Sequence, residues 1–106
     1  MTIRELRIGN LVYFDKQEIV IDLEYFYAER ECNGVLEHTE PITLAGERLL
    51  KFGFKYHNEF DSYVLGDVII RAKDYVLCDI GMRVKIEHVH SLQNLYFELK
   101  GKELEE

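Results

Sequence analysis

The run Val89–Leu99, read VHSLQNLYFEL, constrains this chain more than any other stretch. Val89, Leu92, Tyr96 and Leu99 fall at i, i+3, i+7 and i+10, with Leu95 beside them, which is one face of an α-helix. Gly101 follows at the place of a left-handed C-terminal cap. The spacing therefore predicts a helix over 89–101. Its apolar face has to be buried against another element. Most of the chain before it reads as short strands, so the helix is expected to pack on the second, nearer sheet. The charged tail 102–106 is expected to fray.

A length of 106 residues points to one domain. The first segment, 1–40, reads as a four-strand antiparallel meander. Leu11–Phe14 turns at Asp15-Lys16-Gln17 into Glu18–Leu23. Tyr25–Ala28 continues extended, and Asn33-Gly34 turns into Val35–His38. Short strands at this spacing suit an SH3-like sheet, with an open sheet equally allowed. Pro41 breaks the pattern, and segment 41–53 holds a short central helix near Ala45–Phe52 that Gly53 ends. Gly46 inside that helix weakens it by up to about 1 kcal/mol relative to alanine. Segment 54–88 is a second meander, with turns at Gly66-Asp67, Lys73-Asp74 and Ile80-Gly81-Met82. Its last strand alternates cleanly: Val84 and Ile86 to one face, Arg83, Lys85 and Glu87 to the other. The expected class is α+β: two small antiparallel meanders, a central helix and a C-terminal helix.

Charge narrows the partners. The net charge is −7, and residues 15–48 hold nine acids against Lys16, Arg30 and Arg48. Such a segment repels a nucleic-acid backbone and attracts basic proteins, so no direct nucleic-acid contact is expected. No apolar run approaches the roughly 20 residues of a membrane span, and the first ten residues lack a secretory h-region. Cys32 and Cys78 lie far apart and read as free thiols of an intracellular protein. The expected location is cytoplasmic.

Catalytic patterns are absent from the sequence. His88 and His90 form H-x-H at a helix entry, but no third metal ligand stands at a useful spacing. Cys78 sits in an apolar strand as a small hydrophobe, and Cys32 has only His38 as a conceivable base. Ser62 and Ser91 have no nucleophile-elbow setting. No phosphate loop or dinucleotide fingerprint occurs. No catalytic residue, metal or cofactor is assigned, and the chain is expected not to be an enzyme.

The aromatics carry more information. Tyr25, Phe26 and Tyr27 are consecutive, so alternation turns at least one outward. Tyrosine flanked by carboxylates makes a protein-binding surface, an anchor with a rim that attracts arginine and lysine. The candidate partner-binding set is Asp22, Glu24, Tyr25, Tyr27, Glu29, Glu31, Glu37 and Glu40.

Three segments, LRIGNLVYF at 6–14, EPITLAGERLLKFGF at 40–54 and VHSLQNLYFELKGKEL at 89–104, together resemble a group of small phage and prophage proteins of Bacteroidetes-type bacteria. The chain departs from that pattern at Ala45-Gly46-Glu47, where an acidic pair is expected. The resemblance implies a small protein of a mobile element. By that context it implies an anti-CRISPR or other anti-defence inhibitor, whose partner is a basic, nucleic-acid-binding host nuclease. A monomer or weak homodimer is expected. The alternative is a structural or accessory phage protein that works by self-association, with Phe97 on the last helix as contact.

Overall fold

A computed structural model of the chain describes residues 2–32, 34–79 and 82–106. The turns expected at Asn33-Gly34 and Ile80-Gly81 fall in part on residues outside this set, as does the thiol of Cys32. The described chain is α+β, with two antiparallel sheets and a C-terminal helix. It forms two compact units. One comprises Met1–Ile42 and His88–Leu104, the other Thr43–Glu87 with Glu105–Glu106. No helix of the described residues is long and apolar enough to cross a membrane.

The first unit is built on β1 (Leu11–Phe14), β2 (Gln17–Val20) and β3 (Thr39–Pro41), in spatial order β2-β1-β3. Asp15 and Lys16 join β1 to β2 with φ of 48° and 68°. Two positive φ values give the primed turn whose twist matches the strands. Pro41 ends an edge strand, where a missing N–H costs no ladder bond.

The expected four-strand meander does not form. Leu23–Cys32 is a helix, α1, and Leu36–His38 is a single 3₁₀ turn. Asp22 Oδ1 accepts the Tyr25 N–H at 3.0 Å, which caps the helix start. Glu24 in the first turn and Arg30 in the last complement the helix dipole. These terminal effects outweigh the strand preference of Tyr25-Phe26-Tyr27. The unit's core is Leu6, Val12, Ile21 and Tyr25, with Ile19, Phe26, Val35 and Leu36 packed against it.

The C-terminal helix, α3, spans Val89–Lys100 and ends on Gly101 at φ 71°, as its sequence predicts. Val89, Leu92 and Tyr96 are buried and Leu95 and Leu99 half-buried. Its expected seat on the second sheet is corrected: α3 belongs to the first unit. Gln93 and Asn94, not only the leucines, tie it there. Gln93 Oε1 accepts the Leu11 N–H at 2.8 Å. Gln93 Nε2 donates to the carbonyls of Gly9 at 3.0 Å and Leu104 at 3.3 Å. Asn94 Oδ1 accepts from Asn10 Nδ2 at 2.9 Å and Arg7 Nη1 at 3.1 Å, and Asn94 Nδ2 donates to the Glu5 carbonyl at 2.7 Å. Residues 5–11 and the helix are thus joined by polar side chains that satisfy buried and half-buried backbone groups. The tail does not fray throughout: Leu104 is buried, and Glu103 pairs with Arg7.

The second unit opens with α2 (Gly46–Lys51), after which Gly53 takes φ 100°. Gly46 is the first helical residue, so it escapes the full interior penalty. A Cβ there would lie 2.1 Å from Tyr63 Oη and 3.0 Å from its Cζ, so glycine makes room for the tyrosine. Five strands follow as a true meander: β4 (Lys55–His57), β5 (Ser62–Leu65), β6 (Val68–Arg71), β7 (Val76–Asp79) and β8 (Met82–Lys85). Their register aligns whole rows. Tyr56, Tyr63, Ile70, Leu77 and Val84 are successive cross-strand neighbours on the face where Ile70 and Leu77 are fully buried. The next row, Lys55, Val64, Ile69, Cys78 and Arg83, points the other way.

Candidate functional site

The acids expected to bind a partner lie in the first unit, most of them on and around α1. The helix turns Leu23, Glu24, Tyr27, Arg30 and Glu31 to solvent. Glu24 and Glu31 stand at i−3 and i+4 of Tyr27, so both share its side of the helix, as does Arg30 at i+3. Tyr27 is 55% exposed and Leu23 56%. This arrangement is a tyrosine between two carboxylates, reached through a helix rather than a strand. Glu37 and Glu40 are also exposed, on the 3₁₀ turn and on β3.

Three members of the set have structural work. Tyr25 is 6% exposed and packs in the core. Its hydroxyl lies 2.7 Å from Thr39 Oγ1, and burial raises its pKa above the usual phenol value. It is therefore not a surface anchor. Asp22 caps α1. Glu29 accepts the Leu36 N–H at 2.9 Å, which fixes the segment after the helix.

A shallow groove of about 440 Å³ opens beside α1. Phe14, Ile19, Val20, Tyr25, Ala28 and Val35 form its apolar lining, and Asp22 and Glu24 add carboxylates. The sequence does not announce this groove, because Tyr25–Ala28 reads as extended chain after a strand Glu18–Leu23. The Asp22 cap, followed by Glu24 and closed by Arg30, was the available signal.

The rings of His88 and His90 stack at 5.7 Å with 7° between planes. His90 is 2% exposed, and its Nε2 lies 3.3 Å from Glu5 Oε2. Its Nδ1 is buried with no hydrogen-bond partner among the described residues. Burial holds the His90 pKa below its ordinary value, against the opposing pull of Glu5. The Glu5 carboxyl is itself held low, chiefly by the Thr2 backbone N–H. Among the described residues no group of three His, Cys, Asp or Glu side chains is placed to hold a metal. Phe97 is covered by the Arg7 guanidinium, 4.1 Å above its ring, which weakens it as a free apolar contact.

The buried histidine gives the protein an acid-sensitive element. The folded pKa lies below the unfolded value near 6.5, so the unfolded chain binds the proton first. The stability that neutral His90 contributes is full above that value and is lost as pH falls towards the folded one. The lowered Glu5 acts in the same direction at more acidic pH. Urea midpoints measured from pH 7.5 to 5 are expected to fall with pH. In His90→Gln the fall should be shallower across the same range, and an unchanged slope would remove His90 as its source.

No protein-family model, curated protein or solved structure matches this chain.

Proposed function

We propose that this chain is a non-enzymatic binding protein that takes a basic partner on the outer face of α1. The observation that carries the reading is the placement of Tyr27, exposed between Glu24 and Glu31. The groove lined in part by Glu24 adds an apolar recess next to the charge. A partner side chain with an apolar body and a cationic end, arginine or lysine, suits both parts. The carboxylates contribute mainly to encounter and orientation, the tyrosine and the recess to residence.

In its most concrete form the protein is a phage-type inhibitor of a host defence nuclease, seated on that enzyme's basic nucleic-acid channel. The resemblance in the three sequence segments supports the phage context. The acidic face supports the channel as target, because it presents carboxylates where phosphates would bind. The protein is expected to act in the host cytoplasm.

Affinity capture from a bacterial host lysate, followed by mass spectrometry, tests this. Wild-type bait should retain a basic nucleic-acid-binding protein that elutes with rising salt. Bait carrying Glu24→Lys, Glu31→Lys and Glu37→Lys should retain at least about tenfold less, since each reversal at an interface rim removes attraction and adds repulsion. Equal capture by both baits overturns the acidic-face reading.

A further inference from the structure

The second unit carries a surface that the acidic-face reading does not use. On β4–β8 the outward row reads Lys55, Val64, Ile69, Cys78 and Arg83, each the direct cross-strand neighbour of the next. Two residues along the strands, His57, Ser62, Arg71, Val76 and Lys85 share that face. Lys55, His57, Arg83 and Lys85 are exposed, and Ile69 is 39% exposed. No carboxylate among the described residues stands in either row. Arg71 is answered from the adjoining turn by Asp74, at 2.8 Å. The face is an apolar centre, Val64, Ile69, Val76 and Cys78, with cations at both outer strands.

We infer that this sheet face receives the α1 face of a second copy of the same chain. The two surfaces are complementary in both respects. The sheet offers an apolar strip flanked by Lys55, Arg83 and Lys85. The helix offers Leu23 and Tyr27 flanked by Glu24 and Glu31, with Arg30 the single cation on that side. A single-stranded nucleic acid fits less well, because neither row holds an aromatic ring besides the edge histidine, and base stacking supplies much of that binding. The inference rests on the α1 face being a docking surface for basic partners. It adds that one such partner is the protein itself.

The contact joins different surfaces on the two copies, so it is heterologous. Each copy keeps one free surface of each kind, and association continues past the dimer unless a ring closes. The net charge of −7 opposes assembly at low salt. At physiological salt the Debye length is about 8 Å, so distant like charges are screened while contact pairs are not. Near 1 M it is about 3 Å and the contacts weaken too. Five strands at about 4.8 Å spacing make a face about 19 Å wide, which is a few hundred Å². That is well under the roughly 800 Å² per partner of a stable interface, so the association is weak and reversible.

Sedimentation velocity up to about 1 mM protein tests this, a concentration suited to weak contacts. Wild type should show concentration-dependent species beyond the dimer near 0.15 M salt, fewer at 0.01 M and fewer at 1 M, following the Debye lengths. The sheet variant, Lys55→Glu with Arg83→Glu and Lys85→Glu, should be a monomer. So should the helix variant, Glu24→Lys with Glu31→Lys. All substituted side chains are exposed, and circular dichroism checks the fold. Mixing the two variants restores complementary pairs and should restore association. Monomeric wild type at every salt concentration, association that either variant leaves intact, or a mixture that stays monomeric overturns the inference. A synthetic lysine–leucine–tyrosine amphipathic peptide separates this from the underlying reading. Binding of that peptide to the sheet variant but not to the helix variant keeps the acidic-face reading whatever the sedimentation result. Failure of the peptide to bind wild type removes that reading as well.

Discussion

Replacing Gln93 with leucine is expected to destabilise the protein by about 3–5 kcal/mol, the largest loss of any single substitution considered. Gln93 is 1% exposed, and both ends of its amide are used. It satisfies the Leu11 N–H and the carbonyls of Gly9 and Leu104. Leucine fills a similar volume but leaves these three backbone groups without a partner. An orphaned buried group costs about 1–3 kcal/mol, and the added apolar burial offsets only about 1 kcal/mol of that total. Urea denaturation should show a lowered midpoint with unchanged slope. A loss under about 1 kcal/mol would mean that water replaces the amide.

Gly46→Ala is expected to cost about 1–3 kcal/mol, where helix propensity alone favours the substitution by up to about 1 kcal/mol. The new Cβ would stand 2.1 Å from Tyr63 Oη. Tyr63 would have to leave a position in which its ring packs on Tyr56 at 5.2 Å. A double-mutant cycle isolates the cause. With Tyr63→Ala already present, Gly46→Ala should be neutral or stabilising. If Gly46→Ala raises the urea midpoint in the wild-type background, the close approach is not the reason for glycine at this site.

The parts legible in the sequence were those written in periodicity. The helix over 89–100, its Gly101 stop, the β1–β2 hairpin and the second meander all follow from spacing and turn residues. The helix α1 was not legible in that way. Its sequence, LEYFYAEREC, alternates no better with a helical period than with a strand period, and its aromatics favour strands. The signals that favour the helix sit at its ends, the Asp22 cap with Glu24 and Arg30. Polar burial was equally hidden. The spacing of 89–99 singles out its leucines and says nothing of Asn10, Gln93 and Asn94. Hydropathy cannot tell a solvated amide from one that closes a backbone gap. The acids of the candidate site could be listed from charge. Sorting Tyr27 from Tyr25, and Glu24 and Glu31 from Glu29, required the helix.

The division into units has a consequence for synthesis. The first unit is made of two separated pieces of chain, and the body of the second, Thr43–Glu87, lies between them in sequence. Translation delivers β1, β2, α1 and β3 early, then the whole meander, and only afterwards α3. At about 5–20 residues per second, the first sheet waits several seconds for the helix that satisfies Leu11 and shields its apolar side. The meander, with every strand paired to its sequence neighbour, can close meanwhile. The nascent chain therefore passes through an interval in which the five-strand meander is complete and the first unit is not. In that interval a chaperone would find its binding surface on the residues made first.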